Sequence, residues 1–164
     1  MRQGVVSWLE RSLGAEMLRR RVLCLLGASA LALRAQAAAG RPITVYKAWG
    51  CTCCEGWIAA MAKAGFQPKV VVVNDLSGEW RRRGVPDMLS SCHMGVVDGY
   101  VTVGHVPPAD VLRLLKERPR AIGLTVPGMP DGSPGMERPD GKRESYETLL
   151  LLAGGKSRVF ARHS

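Results

Sequence analysis

The run Ile43-Thr44-Val45-Tyr46-Lys47-Ala48 is β-branched and aromatic, follows Pro42, stops at Trp49-Gly50, and leads at once into Cys51-Thr52-Cys53-Cys54. This pattern predicts a strand that hands over to a helix at the cysteines. From Cys53 to Lys63 the apolar residues Trp57, Ile58, Met61 and Ala62 recur at helical spacing, and Gly65 stops the pattern. Lys69 to Val73 is almost wholly apolar, as expected of a strand buried on both faces. Strand, helix, strand makes a βαβ unit with the sulfurs at its first turn.

Further along, Leu76 to Arg83 reads as a short basic helix broken by Gly84-Val85-Pro86. Gly95 to Val97 and Tyr100 to Val103 flank Asp98-Gly99, a dipeptide suited to a type I′ turn, so they predict a hairpin. Pro107-Pro108-Ala109-Asp110 opens a last helix, Val111 to Glu117, with Val111, Leu112, Leu114 and Leu115 facing inward. The order β-α-β-α-β-β-α is that of an α/β fold of the thioredoxin-like class. Gly123 to Gly141, with four Pro, five Gly and two Met, reads as an irregular loop. A loop so long in a small domain is often functional. Tyr146 to Leu152 and Arg158 to Ala161, around Ala153-Gly154-Gly155-Lys156, predict a closing β-hairpin.

The chain has 164 residues and a formal charge of +9, which invites an anionic partner until its distribution is considered. Arg19-Arg20-Arg21, the apolar run Val22 to Leu33 and the tract Ala35-Gln36-Ala37-Ala38-Ala39 are the three parts of a secretory signal peptide, here residues 1–39. Met17 is an alternative start, and export by the general or the twin-arginine route is left open. A buried N-terminal helix fits less well, because the segment is apolar all round and ends in alanines. Cys24 lies inside it, and the preceding Arg21-Val22-Leu23 is not a lipoprotein cleavage site.

Residues 40–164 then form a single domain with 17 basic and 12 acidic side chains, and Arg81-Arg82-Arg83 is the only basic run. With aromatics at 5%, this composition argues against nucleic-acid binding. No apolar run reaches the roughly 18 residues of a spanning helix, so no stable membrane association is expected after signal removal. Cys51, Cys53, Cys54 and Cys92 are expected in the periplasm, an oxidising compartment where free thiols need a reason.

A helix N-terminus lowers thiol pKa and supplies thiolate near neutral pH. Two chemistries can use this. Cys51 and Cys54 form a C-x-x-C pair suited to a thiol–disulfide oxidoreductase, with Pro86 in the position where thioredoxins carry a cis-proline. Alternatively, three thiolates within four residues bind a soft metal. Two structural disulfides fit poorly, because adjacent Cys53 and Cys54 would bridge only with strain. Zinc sites usually carry two separated ligand pairs, a pattern from which C-x-C-C departs. Crowded thiolates suit Cu(I), where one sulfur can bridge two metals. Cys92-His93-Met94 is a second group of soft or borderline ligands, expected to reach the first βα turn. His105, and Met129 and Met136 in the Gly/Pro loop, are outer candidates.

From about Ile43 to His163 the chain resembles the CopG-like family of periplasmic copper-resistance proteins. The matching elements are Val45-Tyr46-Lys47 before the C-x-C-C, Gly65-Phe66, Gly84-Val85-Pro86, Ser91-Cys92-His93, Gly99-Tyr100-Val101 and Gly104-His105-Val106-Pro107. Gly123-Leu124, Val126-Pro127-Gly128-Met129-Pro130 and Gly132-Ser133-Pro134-Gly135-Met136-Glu137 complete the set. The resemblance implies a thioredoxin-like fold and a thiolate-bridged multicopper cluster on Cys51, Cys53, Cys54 and Cys92. It implies copper ions and other periplasmic copper-handling proteins as partners. Two departures stand out: Thr52 replaces the Gly usual in the family turn, and Ala48-Trp49-Gly50 replaces a more polar lead-in that contains proline. A β-branched residue resists positive φ, so the turn is expected to differ if the family Gly uses that freedom.

Overall fold

The structure, a computed structural model, describes residues 40–164. The expected signal peptide, with Met17 and Cys24, lies outside the described residues. The elements are β1 (Arg41–Ala48), α1 (Cys53–Lys63), β2 (Phe66–Val73), α2 (Ser77–Arg82), β3 (His93–Val97), β4 (Tyr100–Val103), α3 (Pro108–Glu117), β5 (Gly123–Thr125), β6 (Tyr146–Leu151) and β7 (Ser157–His163). Short 3-10 turns occupy Asp87–Leu89 and Ala153–Gly155. The β-α-β-α-β-β-α order expected from sequence is present, inside a mixed seven-stranded sheet ordered β2-β1-β3-β4-β5-β6-β7. Among the described residues no helix is long and apolar enough to cross a membrane.

Pairing is parallel for β1 with β2 and for β4 with β5, and antiparallel for the other neighbours. The β3–β4 hairpin closes on Asp98 and Gly99 with φ of 48° and 85°, the two positive values that a type I′ turn requires. The apolar faces pack as two cores. Ile43, Val45, Trp57, Met61, Val111, Leu114 and Leu124 pack between one face of the sheet and the helices α1 and α3. Val85, Met94, Val101, Val103 and Leu151 form the second, with Trp80 of α2 packed against it.

Three expectations need correction. β2 is an edge strand paired only with β1, and Val70 and Val72 are 43% and 52% exposed, so it is not buried on both faces. Its Pro68, which has no N–H for a ladder, suits an edge. Leu112 is exposed rather than inward, because the buried stripe of α3 runs through Asp110, Val111, Leu114 and Leu115. The expected irregular loop opens with a fully buried strand, β5, which extends the sheet beyond β4.

The rest of that loop returns to α1. A Cβ on Gly56 would stand 2.7 Å from Cα of Gly135, and one on Gly135 would stand 2.5 Å from the Trp57 amide nitrogen. Gly135 has φ of +86°, so it also needs the conformational freedom of glycine. Helix and loop therefore meet backbone to backbone at the first turn of α1. Gly56→Val is expected to destabilise the protein by about 1–3 kcal/mol through overpacking, measured as a lowered denaturant midpoint with unchanged m-value.

Candidate metal centre

The C-terminal ends of β1, β4 and β5 and the start of β3 lie at one end of the sheet, as the pairs Lys47 with His93, Met94 with Val103 and Val103 with Thr125 require. There the Ala48 amide donates to the Cys92 carbonyl at 3.0 Å, fastening the end of β1 to the residue before β3. Gly50, with φ of +73°, turns the chain, and α1 begins where the Glu55 amide donates to the Thr52 carbonyl. Thr52 has φ of −77°, so this turn asks nothing of glycine at that position. Thr52 sits in the ordinary right-handed region, which a β-branched residue can adopt.

The four cysteines among the described residues converge. Cys92 Sγ stands 3.3 Å from Cys51 Sγ, 3.6 Å from Cys54 Sγ and 3.9 Å from Cys53 Sγ, and Cys51 and Cys53 are 3.5 Å apart. Cys51 and Cys54 are joined as a disulfide, while Cys53 and Cys92 are free. The two-disulfide arrangement is therefore not adopted. Cys54 is buried and the other three are half-buried, so the site has a dry floor and an open rim. Burial, and secondarily the neighbouring Cys53, push the Cys92 thiol above its ordinary pKa. Cys92 immediately precedes β3. A metal ion bound by this sulfur would displace a proton, so its binding would strengthen as pH rises.

His93 extends the sulfur group, since ligand atoms of Cys51, Cys54, Cys92 and His93 lie within 4.8 Å of one another. Its Nδ1 is 3.6 Å from Cys92 Sγ, and its ring lies 4.7 Å from that of Trp57 and 5.0 Å, edge-on, from that of His105. His105 Nδ1–H donates to the Pro134 carbonyl at 2.9 Å, which leaves its Nε2 with the lone pair. Both Nε2 atoms are buried and have no hydrogen-bond partner among the described residues. Buried imidazole nitrogens without partners are costly unless something binds them.

The Gly/Pro loop is strapped over this end through Pro134 and Gly135. Met136 is half-buried and hydrogen-bonded within the loop through its backbone, whereas Met129 is 56% exposed beside the Gly128 turn. Among the described residues no peptide bond is cis, so Pro86 does not take the cis-proline role. The segment that faces the C-x-x-C from the head of β3 is Ser91-Cys92.

Sequence reasoning missed Lys47. It shares the buried face of β1 with Ile43 and Val45, and its Nζ pairs with Glu55 and lies 3.4 Å from the Cys51 carbonyl. A lysine in the inward register of an alternating strand was the available signal.

Residues 89–136 match the family described as "Protein of unknown function, DUF411". Two solved structures, described as copper resistance protein copG, Form 1 and Form 2, are each 41% identical to the chain with a TM-score of 0.71. Each covers 76% of this chain, and the matches take in 98% and 99% of their own lengths. The chain belongs to the CopG family. No curated protein sequence matches it significantly. The DUF411 match contains Cys92, His93, His105, Met129 and Met136, whereas the C-x-C-C precedes it.

For this CopG-family chain the buried His93 has a consequence in stability. Burial, then nearby His105 and Lys47, lower its pKa to about 3. In the unfolded chain it titrates near 6.5. The neutral ring therefore contributes stability that is present above that value and is lost as pH falls from about 6.5 toward about 3. Between pH 7 and 5.5 the reduced, metal-free protein is expected to lose about 1 kcal/mol from this residue. His93→Phe should flatten the pH dependence of urea unfolding by that amount, and parallel curves would contradict the assignment.

Proposed function

We propose that the chain is a periplasmic copper-binding protein, carried out by the signal in residues 1–39, whose residues 40–164 form a thioredoxin-like domain that holds Cu(I). Cys51, Cys53, Cys54 and Cys92 supply bridging thiolates to a multinuclear cluster, and His93, His105, Met129 and Met136 are its outer ligands. Copper is the cargo. The protein sequesters it or exchanges it with other periplasmic copper-handling proteins.

The observation that carries this reading is the convergence of four sulfurs from C-x-C-C and Cys92, with Cys92 Sγ 3.3–3.9 Å from the other three. Soft thiolates select a soft ion, and the crowding of three of them within four residues at the start of α1 favours bridging over separate sites. Neutral imidazole and thioether complete a soft donor set. The fit requires Cys51 and Cys54 as thiols, so reduction of their disulfide precedes full loading. The same pair can supply electrons for copper redox cycling: two thiols become a disulfide and two protons while two Cu(II) become two Cu(I).

Anaerobic titration of the reduced mature protein with Cu(I), against a competing chelator, tests the reading. More than one copper per chain is expected, and Cys53→Ser and Cys92→Ser should each weaken binding by about tenfold or more, or about 1.4 kcal/mol. Less than one copper per chain overturns it.

A second reading, a thiol–disulfide oxidoreductase working through Cys51 and Cys54, is favoured by the disulfide these two form at the start of α1. It requires catalytic reduction of insulin by the wild type, lost in Cys51→Ser and kept in Cys92→Ser. Absence of turnover in the wild type rejects it.

A further inference from the structure

A lysine is rarely buried without a reason. The Lys47 side chain is 10% exposed at the end of β1 and lies directly across the ladder from His93 of β3. Its Nζ is 3.4 Å from the Cys51 carbonyl and is paired with Glu55 in the first turn of α1. The two charges of this pair sit in different surroundings. Glu55 is 63% exposed, so water screens its carboxylate, whereas the ammonium is held inside the fold, 3.4 Å from the backbone carbonyl of Cys51.

We propose that Lys47 is the fixed counter-charge of the sulfur site: a positioning residue whose buried ammonium favours the reduced, negatively charged state of Cys51 and Cys54, with Glu55 attenuating that charge. The disulfide is neutral and the reduced pair carries thiolate charge, so a nearby cation stabilises only the reduced form. The inference rests on the reading of these cysteines as the working site. Its test uses no copper, so its failure is separate from failure of copper binding.

The bland alternative is a strut: Lys47 and Glu55 tie the strand to the helix and nothing more. The two accounts differ in sign. A strut is broken equally by Lys47→Met and by Glu55→Gln, and both would move the site the same way. A counter-charge is removed by the first substitution and strengthened by the second.

The mature protein and both variants are equilibrated anaerobically at pH about 8.5, where an ordinary thiol is about half ionised, over a series of reduced-to-oxidised dithiothreitol ratios. In this exchange the two dithiothreitol thiols become a cyclic disulfide, and their two electrons and two protons pass to Cys51 and Cys54. Alkylation followed by mass measurement gives the dithiol fraction. Lys47→Met is expected to shift the equilibrium about tenfold toward the disulfide, or about 30 mV. Glu55→Gln is expected to shift it toward the dithiol. Shifts in the same direction, or none in either variant, overturn the proposal. Should Lys47→Met fail to fold, the exposed Glu55→Gln decides alone, and a shift toward the disulfide or no shift overturns it.

Discussion

The antiparallel pairing of β1 with β3 is the contact on which the centre depends. It sets Lys47 opposite His93 and allows the Ala48 amide to reach the Cys92 carbonyl. Two chain segments about forty residues apart, each with cysteine next to other ligand-bearing residues, are thereby held in one register. A slip by one residue would reverse every side chain on β3 and carry His93 to the opposite face. The buried apolar residues on both sides of the sheet resist that slip, because it would also exchange Met94 and Val97 between the two cores.

Around this register the other parts are fitted closely. Gly104 takes φ of +69° where an added Cβ would meet the Val126 carbonyl at 2.8 Å, so the strand end can turn tightly and present His105. The Trp57 indole donates to the Val106 carbonyl, fixing the helix face behind the sulfurs. Pro134 and Gly135 bring the loop down onto His105 and α1. The floor of the site is consequently rigid and dry, while Cys51, Cys53 and Cys92 stay half-open to an incoming ion. Such a frame preorganises donors and leaves their redox state as the variable.

Much of this was legible in the sequence, for physical reasons. The β-branched run before the cysteines and the helical spacing after them marked the strand and helix that hold the C-x-C-C. Asp98-Gly99 marked the hairpin, and Cys92-His93 at its start implied the reach to the first turn. Other features were hidden. A run of four valines looks the same at the centre of a sheet and at its edge, and only Pro68 hinted at the edge. β5 is three residues long and flows into a Pro/Gly loop, so no periodicity could reveal it. The inward register of Lys47 was visible in the alternation Ile43, Val45, Lys47, but a charged residue there contradicted the expectation of an apolar core. The pairing of His93 with His105 depends on a turn at Gly104 that spacing alone does not specify.

The central claim is that the four sulfurs act together as one soft-metal centre. X-ray absorption at the copper edge, on protein reduced and loaded with Cu(I) without oxygen, tests it most directly. The account expects a sulfur-dominated first shell with a copper–copper shell beyond it, both diminished in Cys92→Ser. A first shell of nitrogen or oxygen, or a sulfur shell unchanged in Cys92→Ser, would contradict it.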